Sequence, residues 1–236
     1  MLTRWTLLDL ETVGAPDAEL WLPTIDPDGR LTDEAKIKAD IEKKKAALLA
    51  KAGLHPELCR IVCAGLTEHD GTERILVATN KEQEAALLSC VWLSVNRTTP
   101  MVGYGLTWFD AGVLVRRSQL LGVKVPSEFY KQGKYRHDWI VELSDYLTLN
   151  GMIDLRPEQR KGMGLDYHCR RFGIDVEDAH SGKDVAQLWA EGNIEAIKAH
   201  CAADMSRIRQ LADWLGVIDL SRVQSQDAVT EEAGAF

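Results

Sequence analysis

The stretch WTLLDLET, residues 5–12, decides how the rest of the chain is read. Trp5 to Leu10 are apolar or strand-tolerant apart from Asp9, and a second carboxylate, Glu11, follows two positions on. Residues 3–10 fill like a buried strand, in which residues two apart project from the same face. Two adjacent carboxylates repel, and burial raises the cost unless a cation neutralises them. A hard divalent cation, Mg²⁺ or Mn²⁺, suits such oxygen ligands. The pattern is cheap, since Asp-x-Glu recurs at Asp40/Glu42 and Asp175/Glu177 in polar surroundings. Taken alone, the first pair reads as a strand end emerging into solvent.

Two more acids sit where acids are unexpected. Ile197, Cys201, Asp204, Ile208, Leu211 and Leu215 follow spacings of 4, 3, 4, 3 and 4, one apolar helical stripe with a carboxylate inside it. An aspartate on a core-facing stripe is usually paired, hydrogen-bonded or bound to metal. His200 precedes it by four residues, one turn away on the adjoining flank. Asp110, in VGYGLTWFDAGVLVRRSQLLGV, stands after Trp108-Phe109 where a strand gives way to a helix. By itself it reads as a first-turn acid favourable to the helix dipole. Jointly, four carboxylates at element ends or on a core stripe suit two cations ~3.5–4 Å apart, clamping a phosphodiester for in-line attack.

The rest of the chain supplies the frame. Residues 13–56 form a distinct charged segment that carries Pro16, Pro23 and Pro27 and then a lysine-rich run, LTDEAKIKADIEKKKAALLAKAG. That run predicts a helix with Ile37, Ile41 and Leu48 on one stripe and Gly53 as its stop. Its lysines read as a solvated face or as contacts to a nucleic-acid backbone. Two β-rich runs flank His69-Asp70-Gly71, a hairpin signal. A helix over 81–96, a short strand over 98–105, a helix from Asp110 to Gly122, a loop over 126–134 and a short run, YRHDWIVEL, follow. Helices are expected at 162–172, 182–191 and 193–215. This order predicts an α/β fold with a mixed sheet. One domain is expected over residues 1–222, with a polar, disordered tail over 223–236.

Five cysteines without a CxxC pair read as reduced, partly buried thiols. Cys59 and Cys63 lack the second half of a zinc site. Twenty-eight Lys and Arg against 36 Asp and Glu give a net charge of −8, against tight nonspecific polyanion binding. Local contact with nucleic acid through metal ions is not excluded. No apolar run reaches the ~20 residues of a membrane span, and no basic-then-apolar leader opens the chain. The cytoplasm is the expected compartment.

At these residues the chain resembles the DEDD 3′–5′ exonucleases of ribonuclease-H-like fold. LLDLET looks like their first motif, VGYGLTWFDAGVLVRR their second and HCAADMSRIRQL their third, with Asp9, Glu11, Asp110 and Asp204 matching the four acids. The likeness spans about residues 4–215 and is nearest to the exonuclease domain of B-family DNA polymerases and its free-standing phage and prophage relatives. It implies a mixed five-stranded sheet flanked by helices, and two-metal hydrolysis of 3′-terminal phosphodiesters of single-stranded DNA to nucleoside 5′-monophosphates. Asp9, Glu11 and Asp204 would hold one Mg²⁺ or Mn²⁺, and Asp9 and Asp110 the second. Leu10 and Thr12 would flank the terminal nucleotide, with Trp108 or Phe109 stacking nearby. Asp138, in the YRHDWIVELSDYL segment, reads equally as an accessory acid or an exposed strand-end residue.

Two positions depart from the family. Gly105 stands where asparagine is common. Where a tyrosine four residues before the third acid, or a histidine five before it, is usual, this chain has His200 and Ala199. Imidazole at that place could orient or deprotonate the attacking water. An RNA-directed exonuclease and a catalytically silent nucleic-acid-binding module are the alternatives on the same fold. Replication and recombination proteins stay open as partners.

Overall fold

The first strand, β1 (Thr6–Gly14), is longer than the apolar run that announces it. The computed structural model describes residues 1–96, 98–127, 129–131, 139–148 and 162–221. The expected strand over 3–10 is corrected at both ends. β1 continues to Gly14 because β2 (Cys59–Glu68) pairs with it antiparallel along its whole length. The ladder shifts register between Glu11 and Thr12, where Glu11 faces Cys63 but Thr12 faces Ile61. The extra residue is a bulge on β2, and bulges of this kind re-aim side chains beside functional sites.

The hairpin at His69-Asp70-Gly71 forms as expected, and β3 (Glu73–Val77) pairs antiparallel with β2. Gly71 takes a positive φ of 89° in the turn. The short strands β4 (Met101–Gly103) and β5 (Ile140–Glu142) add in parallel on the other side of β1. The resulting five-stranded mixed sheet has the order β3-β2-β1-β4-β5. This is the α/β fold with a mixed sheet that the order of elements predicts, in the five-stranded ribonuclease-H-like form that the resemblance implies.

Strand alternation divides the core between the two faces of the sheet. Leu8 and Leu10 point to one face, under α2 (Lys81–Ser94) and α3 (Ala111–Leu120), where they pack with Leu88, Val91, Val113 and Leu114. Leu7 and Val13 point to the other, under α5 (Leu165–Arg171), α6 (Val185–Ala190) and α7 (Ile194–Trp214). Between them a short α4 (Leu143–Leu147) follows β5. Helices α5 and α6 are shorter than the segments 162–172 and 182–191 expected for them.

The lysine-rich run forms α1 (Glu34–Leu49), capped by Asp33 accepting from the Lys36 amide. No residue of α1 is buried, so Ile37, Ile41 and Leu48 do not make a core stripe. The helix stops at Leu49, not Gly53, and a one-turn segment, Ala52–Leu54, brings the chain back to β2. Asp138 and the tail over 223–236 lie outside the described residues.

Candidate active site

Asp9 and Glu11 alternate with Leu7 and Val13 on the face of β1 that α7 covers. Opposite Asp9 on β2 is Gly65. A β-carbon there would stand 2.8 Å from Met205 Sδ and 3.1 Å from Cys201 Sγ. The missing side chain therefore lets α7 lie close over the two acids. The helix starts at the Asn193 cap, whose side chain accepts from the Ala196 amide. Its stripe then behaves as the 4-3 spacing predicts: Ile197, Cys201, Ile208 and Leu211 are buried, and Asp204 comes down at the edge of the acids.

Asp110 arrives from a different element. After β4 the chain makes a single π-type turn, Leu106–Asp110, before α3. Such turns recur at functional sites. The turn is anchored by Glu142 at the end of β5, whose carboxylate accepts from the Gly105 amide at 2.9 Å, Thr107 amide at 3.1 Å and Ser144 amide at 3.1 Å. Gly105 has a φ of 90°, the left-handed region that glycine adopts without penalty.

These elements bring four of the sequence-predicted acids and His200 together. Single donor atoms of Glu11, His200 and Asp204 lie within 4.8 Å of one another. His200 Nε2 is 3.5 Å from Glu11 Oε1 and 3.8 Å from Asp204 Oδ2. Asp9 and Glu11 share a second such group with Cys201. Burial first, then the charges of Asp204 and Asp110, push Asp9 well above the ordinary carboxylate range. Glu11 is pushed up to about 10 by burial, then by Asp9, Asp204 and Asp110. Burial and then Glu142 push Asp110 up to about 7.

The predicted neighbours are placed differently. Leu10 is buried in the core on the opposite face, and the Thr12 hydroxyl donates to Gly53 O at 2.6 Å. Trp108 is 65 % exposed beside Asp110, whereas Phe109 packs partly against the core.

Three residues of the site escaped the sequence reading. Asp178, in the loop before α6, accepts from Arg207 Nη1 at 2.8 Å and meets His200 Nδ1 at 2.8 Å. Burial alone would raise Asp178, but the Arg207 and His200 hydrogen bonds outweigh it and hold the acid below its ordinary range. Arg207 also donates to Asp204 Oδ1 at 2.5 Å. Its position three residues after Asp204 was a usable helical signal; Asp178 carried none, because only folding brings its loop to α7. Glu142, the third, closed the apolar run WIVEL and could have been read as a strand-end acid.

The donor chemistry fits a divalent cation. The acids offer hard oxygens, and mutual repulsion makes their joint ionisation costly without a counter-charge. Asp9 Oδ2 and His200 Nε2 are buried and have no hydrogen-bond partner. An unpaired buried polar atom costs about 1–3 kcal/mol, which a ligand at that place would recover.

Residues 53–209 match the family described as "Predicted 3'-5' exonuclease related to the exonuclease domain of PolB". The chain belongs to that family. Asp110, His200 and Asp204 fall inside the matched exonuclease segment; Asp9 and Glu11 precede it and join the site through β1. Among solved structures, a family B DNA polymerase from the hyperthermophilic archaeon Pyrobaculum calidifontis is similar, with a TM-score of 0.53 and 17 % identity. The similarity covers 90 % of this chain and 24 % of the polymerase, and it concerns the fold. No curated protein matches the chain.

Proposed function

We propose that this protein is a 3′–5′ exonuclease acting on single-stranded DNA or a DNA 3′ end, releasing nucleoside 5′-monophosphates. The observation that carries the reading is the acid cluster on β1, α7 and the turn before α3, buried at Glu11 and Asp110 and half-buried at Asp9 and Asp204, with Asp9 Oδ2 unpartnered. Asp9, Glu11, Asp110 and Asp204 would hold two divalent cations. Bound there, the cations would lower the pKa of the attacking water and offset charge on the leaving 3′ oxygen.

The chain's own contribution is placement. β1 pairs with β2 through both acids and with β4 just before them, so Asp9 and Glu11 sit on a strand rather than a loop. Glu142 fixes the turn that presents Asp110, and Arg207 fixes one oxygen of Asp204, leaving the other turned to the site. Trp108 offers an exposed ring beside Asp110 for a terminal base, a stacking contact worth about 1–3 kcal/mol.

The test is cleavage of 5′-labelled single-stranded DNA, and of RNA of the same sequence, with Mg²⁺ or Mn²⁺. Wild type should give a ladder shortening from the 3′ end that EDTA and Asp204→Asn abolish. Preference for the RNA strand would move the substrate, not the chemistry. Metal and DNA binding without cleavage of either strand would leave a silent binding module in its place.

A further inference from the structure

His200 is 3 % exposed, and its two ring nitrogens have separate surroundings. Nδ1 lies 2.8 Å from Asp178 Oδ2. Asp178 also accepts from Arg207 Nη1 on Oδ2 and from the His180 amide on Oδ1, at 3.1 Å. With both oxygens accepting, this carboxylate has no proton to offer, so Nδ1 carries the hydrogen and donates it. A ring with its single proton on Nδ1 carries its lone pair on Nε2.

Nε2 lies 3.5 Å from Glu11 Oε1 and 3.8 Å from Asp204 Oδ2. Both separations are too long for a hydrogen bond, and Nε2 is buried without a hydrogen-bond partner. Three mutually repelling donor atoms stand within 4.8 Å of one another around a shared point. Asp204 is oriented for the same point, because Oδ1 is occupied by Arg207.

We propose that His200 Nε2 is a metal ligand, completing with Glu11 and Asp204 a mixed nitrogen–oxygen site that selects Mn²⁺ over Mg²⁺. The proposal rests on the exonuclease reading for the presence of a cation, and adds which cation and why. A metal-ligating histidine almost always donates its other N–H to a carboxylate or carbonyl, which fixes ring and tautomer. Asp178 does this here, as a positioning residue held by Arg207. Imidazole nitrogen favours first-row transition ions, whereas Mg²⁺ keeps oxygen ligands and its water. A histidine at the place of the tyrosine thus changes the ligand set itself.

The experiment is pulsed EPR of the full chain loaded with Mn²⁺, comparing natural-abundance protein with protein selectively ¹⁵N-labelled at histidine. A ¹⁴N coupling that converts to the ¹⁵N pattern supports the proposal, as does its loss in His200→Tyr with Mn²⁺ still bound. The labelled wild type keeps the test decisive even where the variant fails to fold. Calorimetric titration with each metal should show Asp178→Asn weakening Mn²⁺ by about 10–100-fold and Mg²⁺ far less. Mn²⁺ bound without nitrogen coupling overturns the proposal and leaves His200 to orient or deprotonate water. Failure of wild type to bind either metal overturns the two-metal reading as well.

Discussion

Gly105 is the residue where chemistry and backbone give different accounts. As a side chain it is an absence, at a position where the exonucleases that the chain resembles commonly carry asparagine. As backbone it is the hinge of the site: at a φ of 90° its amide donates to Glu142, and its carbonyl accepts from the Trp108 and Phe109 amides. A β-carbon there meets nothing within 4 Å, so the dihedral angle, not space, limits what can replace it. Asparagine tolerates the left-handed region and β-branched residues do not. Gly105→Asn should therefore keep the melting temperature within about 2 °C, while Gly105→Val costs about 1–2 kcal/mol. The valine variant should also lose cleavage, because the turn carrying Asp110 shifts. Equal melting temperatures for the two would refute the argument. Asp9 and Asp204 stood out because each broke an apolar pattern, Glu11 and Asp110 because they stood at element ends beside it. Glu142 and Asp178 were not singled out: Asp178 obeys the polar pattern around it, and what either acid holds becomes visible only once the chain has folded.

At the scale of elements, α7 was the most legible piece, since Ile197, Cys201, Ile208 and Leu211 of its 4-3 stripe form its buried face, and only Leu215 falls past the helix end. The lysine helix was legible in type but not in packing: a stripe of three apolar residues, spaced along 16, does not oblige a helix to bury anything. Pairing lengthened β1 beyond its apolar run, which no local signal at Val13 or Gly14 announces. What ties α2 and α3 to the sheet is also long-range. Arg117 donates to Glu84 through two bonds, at 2.7 and 2.8 Å, and Glu84 Oε1 accepts the Ile61 amide of β2 at 2.9 Å. Glu84 is fully buried. Arg117→Ala would strand that carboxylate, a loss of about 3–5 kcal/mol, so the melting temperature should fall by roughly 10 °C. The adjacent Arg116 pairs with Glu57 at the surface, and Arg116→Ala should change stability by less than about 0.5 kcal/mol. Thermal unfolding of both variants checks the contrast, and similar losses from the two would show that the buried pair is not what joins these layers.

For the whole molecule, the acids gathered at one place tie stability to pH and to metal. A protein with a net charge of −8 could spread its repulsion over the surface; this one concentrates part of it in a buried cluster. Asp110 is raised to about 7 and Glu11 to about 10 in the fold, against about 4 for such groups in the unfolded chain. Between those values the folded state binds more protons than the unfolded state, so unfolding releases protons and stability falls as pH rises. In EDTA the melting temperature should therefore drop from about pH 5 to about pH 8, and Asp110→Asn should flatten part of that slope. Difference melting against wild type isolates this contribution from the other titrating groups. A divalent cation that binds the ionised cluster competes with those protons, so its effect should grow with pH. At a hundredfold excess over its dissociation constant it adds about 2.7 kcal/mol, roughly 5–10 °C for a chain of this size. Calorimetric scans at both pH values, with EDTA and with Mn²⁺, measure each arm. A metal-free melting temperature that rises across the window in wild type and Asp110→Asn alike would mean that these acids are not held together as proposed. In that case the cation increment would lose its pH dependence too.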